Sequence, residues 1–287
     1  MGKDLRRLML LASCGLVFLY CSALLAHGTS SSRLEQLQHE LAHHPNDASL
    51  YIARGRLYQE RHNMHLAFED YQRAAKLKPD WPATDYWLGL LYLEQEQYSL
   101  ALAQLTRYVA LTDAVKGYVG LAKLHAKQKH FRLSVNAWSQ AISKDANASP
   151  AMYHQRAQAL MKMETLPYSS VLLTEIVMGL EAGIIQHGPI ASYLSLLVNV
   201  YDKNQQYFKA LKALERLPSN LLMSPQWKVK KAQLLLLTGN KALASQVYNE
   251  ALIAFNSLPS YKQKLTINQS VKRQVIQGLK TIHSDLF

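Results

Sequence analysis

The chain has 287 residues, 49% of them hydrophobic, with 12 glycines, 9 prolines and no long low-complexity stretch, which excludes a disordered or fibrous protein and leaves room for one or two folded domains. Its formal charge of +12 would suggest nucleic acid in a cytosolic protein, but no RNA- or DNA-binding motif is present; outside a membrane the same charge suits acidic proteins, anionic lipid or anionic polysaccharide. Both cysteines, Cys14 and Cys21, lie in the N-terminal apolar segment, so a chain processed there has no disulfide, no thiol nucleophile and no thiolate metal site.

Residues 1–28 read as an export segment. Lys3, Arg6 and Arg7 precede an apolar run from Leu8 to Ala26, and positive charge followed by an apolar stretch and small residues is the pattern of a secretory signal. Cleavage is expected near Ala26 or Gly28, giving a periplasmic or secreted protein. The run is also long enough to cross a bilayer as a helix, so the alternative is an uncleaved anchor formed by residues 8–26, with the remainder facing the periplasm. A lipoprotein box ending at Cys14 and a twin-arginine signal at Arg6-Arg7 fit less well, because an apolar stretch follows the first and the flanks of the second are incomplete.

Residues 29–46 predict a short helix. Ser31 or Ser32 can cap it, Leu34, Leu37 and Leu41 form its apolar stripe, and Pro45 ends it. It contains His39-Glu40-Leu41-Ala42-His43, the HExxH pattern in which two histidines one turn apart hold zinc and the glutamate acts as base. A zinc hydrolase needs that helix beneath a cleft and a third ligand from elsewhere. Here His39 and His43 lie off the leucine stripe, so the polar face of a capping helix is the expectation and zinc the alternative.

From Ala48 onward the chain repeats itself. Gly55, Tyr58, Ala67 and Tyr71 recur as Gly89, Tyr92, Ala101 and Leu105, each displaced by 34 residues, and a fixed period of this size means one supersecondary unit copied along the chain. Small residues at 55 and 67 let two helices approach, large ones fill the space beside them, and Pro79 stops the second helix. The second copy runs from about Pro82 to Asp113. In a third, Phe131, Ser134, Trp138 and Ala141 match Tyr98, Ala101, Leu105 and Tyr108 at a shift of 33, with Leu121 and Ala122 at the close-contact positions. Residues 151–190 hold two helix-like runs interrupted near Pro167 and read as an expanded fourth repeat. Tyr201, Tyr207, Ala210 and Leu214, and then Ala232, Gly239, Ala244, Tyr248 and Ala251, continue the pattern. The tail, 261–287, places Leu265, Ile267, Val271, Val275, Leu279 and Ile282 at helical spacing and reads as a cap over the last apolar face.

These residues resemble the tetratricopeptide repeat, a helix-turn-helix unit. The resemblance implies an all-α fold: a right-handed α-solenoid of such units over 47–260, about six in number, with an N-terminal signal or anchor helix and a C-terminal capping helix. Ala26-His27, the stretch Leu50 to Gly55 ending Arg54-Gly55, Gly179 to Gly183 and Leu258-Pro259 are similar to exported bacterial proteins of this kind, whose implied role is protein–protein interaction.

In such arrays the first helix of each repeat lines the concave face. The register puts Arg56 and Gln59 there from the first copy, Tyr86, Trp87 and Leu90 from the second, and Lys123 and Lys127 from the third. His154, Gln158 and Lys162 follow, then Asn199, then Lys230 and Gln233. Aromatics beside cations suit a protein or extended peptide carrying acidic residues or a free carboxylate. No cofactor, metal or nucleic-acid partner is expected, and no GxSxG elbow or phosphate-binding loop proposes an enzyme. The function expected is a scaffold for envelope assembly; the alternative is an anchored assembly chaperone resembling the tetratricopeptide subunits of cytochrome c maturation. Asn147 and Asn268 match the N-glycosylation pattern, which matters only in a eukaryotic source. His62 and His65 are expected in a solvated turn.

Overall fold

A computed structural model describes residues 32–284; the export or anchor segment expected at 1–28 lies outside the described residues. Those residues are helical and contain no strand. Helix α1 spans 32–43 and ends before Pro45. Helix pairs follow: α2 (Ala48–Glu60) with α3 (Met64–Leu77), then α4 (Pro82–Glu94) with α5 (Tyr98–Thr112). Next in the chain are α6 (Val115–Lys127), α7 (Phe131–Lys144), α8 (Pro150–Met161), α9 (Ser170–His187), α10 (Ala191–Lys203) and α11 (Tyr207–Glu215). A short α12 (Ser219–Leu222) precedes α13 (Pro225–Leu237) and α14 (Lys241–Asn256), and a short α15 (Ser260–Gln263) precedes α16 (Thr266–Ser284).

Local chemistry explains where these helices start and stop. Asp47 accepts a hydrogen bond from the Ser49 amide at 2.8 Å and caps α2; Ser169 and Asn240 do the same for α9 and α14. Proline opens α4, α8 and α13, where its missing N–H has no intrahelical acceptor to lose and its fixed φ suits the first turn. Left-handed residues end several of these helices, Asp113 and Lys129 among them, and four such ends share one closure: His62 (φ 56°), Glu96 (59°), Gln205 (57°) and Gly239 (83°). In each case the next residue's amide reaches back five positions, as in Asn63 to the Tyr58 carbonyl and Gln97 to the Tyr92 carbonyl, both 2.8 Å. This is the Schellman arrangement, which satisfies carbonyls a helix end leaves open. Glu96 follows His62 by 34 residues and Gly239 follows Gln205 by the same interval, so the period is written in the backbone as well as in the side chains. His65 lies within the first turn of α3, one step beyond the turn to which its sequence assigns it.

The chain divides into two compact units between Gln128 and Lys129, a boundary that falls inside the third sequence copy. In the first unit α2 packs on α3 and α4 on α5, α3 touches α4, and α5 touches α6. Helix α2 also touches α4, and α4 touches α6, so the first helices of successive copies share one side. Glycine makes this packing possible. A Cβ added at Gly55 would sit 2.6 Å from the Tyr71 ring, and one at Gly89 would sit 2.8 Å from Leu105 Cγ. In the second unit α7 packs on α8, α8 on α9, α9 on α10, and α10 on α11; α11 leads on to α13, which pairs with α14. Helix α16 lies against both α13 and α14, burying Val271, Val275 and Ile282. The segment 151–190 thus holds α8 and α9 on either side of a loop that contains Pro167.

Candidate functional site

The shared side of α2, α4 and α6 carries a strip of stacked cations and rings. Arg56 is exposed on α2, and its guanidinium carbon lies 4.5 Å from the centre of the Trp87 ring on α4. Trp87 is half-buried, stacks on Tyr71 with ring centres 6.4 Å apart, and meets Tyr86 edge-on at 5.0 Å. Tyr86 leans on Tyr108 at 5.1 Å, and Lys116 Nζ sits 4.7 Å from Tyr86 and 5.3 Å from Tyr108. A cation over an aromatic face is held by the ring quadrupole, so these groups fix one another without being used up by carboxylates. Burial pushes the Tyr86 phenol above its ordinary value, leaving it a neutral donor.

Next to Trp87 is a groove of about 270 Å³ lined by Arg56, Gln59, Glu60, His62, Trp87 and Glu94. Its floor is preorganised. The Tyr71 hydroxyl donates to Gln59 Oε1 at 2.9 Å, and Gln59 Nε2 donates to Glu94 Oε2 at 2.8 Å, which fixes the amide and aims the carboxylate. Further along the same side, Lys123 and Lys127 on α6 are exposed and make no ion pair among the described residues. The structure therefore brings Arg56, Tyr86 and Trp87 into direct contact on one surface of the first unit, and sets Lys123 and Lys127 on the next helix of that surface.

The remaining expected residues lie in the second unit. His154 is half-buried on α8, its Nδ1 has no hydrogen-bond partner, and burial lowers its pKa. Gln158 and Asn199 are half-buried on α8 and α10. Gln233 Nε2 donates to Gln274 Oε1 at 3.2 Å and so ties α13 to α16. Lys230 pairs with Asp202 at 2.5 Å. A cavity of this unit, about 360 Å³, uses none of these residues; Tyr168, Val177, Met178, Tyr201, Gln206 and Lys209 are among its walls. The repeat register did not show it because its walls combine the loop residues Pro167 and Tyr168 with α9 and the turn between α10 and α11.

Several conspicuous residues prove structural. Arg54, the arginine of the Arg54-Gly55 pair, donates through Nε to Asp70 Oδ2 at 2.9 Å and through Nη2 to Oδ1 at 2.7 Å. It lies between the rings of Tyr51 and Tyr58 and ties α2 to α3. On α1, Leu37 and Leu41 are buried while His39 and His43 are exposed with ring centres 4.7 Å apart. Among the described residues no group of three or more potential ligands is placed to hold a metal ion. Asn268 is buried, accepts from Gln226 Nε2 and donates to the Lys262 carbonyl at 2.8 Å, so its amide is not an acceptor for glycosylation in the folded chain. Asn147 is exposed.

No family model matches the chain, and no curated protein matches it in sequence. Solved structures do. The C-terminal part of a TPR repeat-containing protein from Cytophaga hutchinsonii aligns with 91% of this chain and 99% of its own, at 15% identity and a TM-score of 0.67. YrrB, described as a TPR protein with an unusual peptide-binding site, aligns over 75% of this chain and 99% of its own at 16% identity and a TM-score of 0.51. Pseudomonas aeruginosa pilF covers 75% of this chain and 95% of its own, at 12% identity and a TM-score of 0.51. At such identities the likeness speaks for the fold alone: the chain shares the all-α, paired-helix fold of these TPR structures.

Proposed function

We propose that this chain is an interaction scaffold, not an enzyme, and that it holds an extended segment of a partner protein along the α2, α4 and α6 side. The observation that carries the proposal is the linked strip of Arg56, Trp87, Tyr86 and Lys116 beside a preorganised groove. Rigid rings offer contact area at small entropic cost, and the neighbouring cations select for carboxylates. Lys123 and Lys127, open on α6, are where an acidic side chain or a free C-terminal carboxylate of the guest would sit. The peptide-binding site named for YrrB lends this reading support, since the fold is shared.

The export pattern of Lys3, Arg6, Arg7 and the run Leu8 to Ala26 supports a place beyond the cytoplasmic membrane, periplasmic or secreted, in envelope assembly. If the run is retained, the same scaffold faces the periplasm as a membrane-held assembly chaperone. N-terminal sequencing of the mature protein separates the two, because a start near His27 removes the anchor.

Selection of displayed peptides on the purified protein, followed by polarisation titration of the best binder, tests the groove. Lys123→Glu with Lys127→Glu, and separately Arg56→Glu, are each expected to weaken that peptide at least tenfold. Equal affinity for the parent and both variants would refute the assignment.

A further inference from the structure

The charge of the chain is not evenly spread. Residues 32–128 hold eleven lysines and arginines against eleven aspartates and glutamates, whereas residues 129–287 hold eighteen against eight. The excess is steepest at the end: from Lys228 to Lys280 nine cations stand against one carboxylate, Glu250, and Glu250 is already engaged by Lys228 at 2.7 Å. Lys262, Lys264, Arg273 and Lys280 make no ion pair among the described residues.

Within this basic region lies an apolar corner. The turn that joins α15 to α16 exposes Tyr261 at 67%, Leu265 at 51% and Ile267 at 64%, with Lys262 and Lys264 exposed between them. These apolar side chains are not loose. Gln263 Nε2 donates to the Leu258 carbonyl at 2.7 Å and the Asn256 carbonyl at 3.0 Å, Gln269 Nε2 donates to the Gln263 carbonyl at 2.7 Å, and buried Asn268 holds the Lys262 carbonyl. Three amide side chains, buried Asn268, half-buried Gln263 and exposed Gln269, thus hold the backbone of the corner, whose apolar groups face outward. On α16 the exposed face continues with Arg273, Ile276 and Lys280, which share one side at spacings of three and four.

We infer that this corner docks on an anionic lipid surface, with Lys262, Lys264, Arg273 and Lys280 against headgroups and Tyr261, Leu265 and Ile267 entering the boundary between headgroups and acyl chains. Cations interleaved with exposed apolar side chains are what an interfacial membrane contact needs, because the charges attract and the apolar groups hold. Nucleic acid would use the same cations but has no place for Leu265 and Ile267, and a solvated basic face would not brace apolar groups outward. The contact uses no residue of the α2–α4–α6 strip and stands apart from the peptide-binding reading.

Co-sedimentation of the full chain with vesicles tests it, comparing pure phosphatidylcholine with phosphatidylcholine containing phosphatidylglycerol. The N-terminal run would bind both kinds, and Lys3, Arg6 and Arg7 beside it would add an anionic preference of their own, so the readout is the part of that preference lost when the corner is altered. Lys262→Ser with Lys264→Ser should lower that preference roughly thirtyfold, and Leu265→Ser with Ile267→Ser should lower anionic binding roughly tenfold; all four residues are exposed, and unchanged thermal unfolding certifies the fold. Equal binding to both vesicle types by the parent chain overturns the inference, as does indifference to both double substitutions. Capture of a DNA duplex that depends on Lys262 and Lys264 but not on Leu265 and Ile267, without vesicle preference, also overturns it and assigns the face to nucleic acid.

Discussion

Replacing Gly89 with alanine probes the packing rule on which the fold depends. Helix α4 would gain propensity, since alanine exceeds glycine by about 1 kcal/mol inside a helix, so a purely local view predicts stabilisation. The packing says otherwise. The added Cβ would stand 2.8 Å from Leu105 Cγ, 2.9 Å from Cδ2 and 3.3 Å from the Leu105 amide nitrogen, where carbon contacts settle at about 3.5–4.0 Å. Leu105 is fully buried and has little room to retreat, because it also packs closely under Gly120 of α6, where an added Cβ would meet its Cδ2 at 2.9 Å. Overpacking of this kind costs about 1–3 kcal/mol, so the net loss after the propensity gain is about 0–2 kcal/mol. Urea unfolding followed by circular dichroism measures it, provided the m-value is unchanged. The decisive background is Leu105→Ala, which alone costs about 2–5 kcal/mol. With the leucine gone, Gly89→Ala should become neutral or stabilising, a coupling of about 2 kcal/mol between the two sites. A stabilised single variant, or the same cost for Gly89→Ala on both backgrounds, would refute the reasoning.

Three further outcomes are expected. Glu96 is exposed and left-handed at φ 59°, so Glu96→Gly should raise stability by about 1 kcal/mol, while Gly239→Ala at φ 83° should lower it by about 1 kcal/mol, both read by urea midpoint. Arg54→Met leaves the Asp70 carboxylate buried without its cation and should cost about 3 kcal/mol; adding Asp70→Leu should return part of it, and a neutral single variant would contradict the buried pair. His154 is held below its ordinary pKa by burial. Its neutral form is therefore favoured by folding, so its contribution is complete above the unfolded pKa of about 6.5 and is lost as pH falls through the lower folded value. The melting temperature should decline less between pH 7 and pH 5 in His154→Gln than in the parent chain; parallel curves would show that His154 is not the group that titrates.

Much of the repeat was legible because it rests on steric complementarity that a sequence records directly. Gly55 against Tyr71 and Gly89 against Leu105 each pair a missing side chain with a large one, and the pairing recurs with the period. The turns were less legible for the same reason in reverse. A Schellman turn needs one left-handed residue, and glycine advertises it, yet only Gly239 does so; His62, Glu96 and Gln205 adopt the conformation at some cost because the helices on either side are already fixed by packing. The site was legible in its parts. Repeat register put Arg56, Tyr86 and Trp87 on one side, and they touch. The register could not show that Gln59 is immobilised between Tyr71 and Glu94, since that contact crosses three helices. Nor could it show that Arg54, two positions before Arg56, faces inward to Asp70.

The C-terminal corner was hidden by a different feature of the chemistry. Gln263, Asn268 and Gln269 look like solvent-facing residues, and Asn268 even carries a modification pattern, yet their amides are spent on backbone carbonyls. An amide has two donors and an acceptor at its tip, so it can close an irregular turn that no regular helix satisfies; at Asn268 polarity in the sequence marks an inside position. With the three amides holding the turn's carbonyls, Tyr261, Leu265 and Ile267 stand on the outside. The same inversion governs the charge. A total of +12 speaks for the whole chain, but residues 32–128 are balanced and all of the excess except the +2 of Lys3, Arg6 and Arg7 against Asp4 belongs to residues 129–287. An argument that steers an acidic guest by net charge therefore does not apply to the α2–α4–α6 strip, where local placement of Arg56, Lys116, Lys123 and Lys127 must do the selecting; long-range attraction to an anionic surface belongs to the other unit.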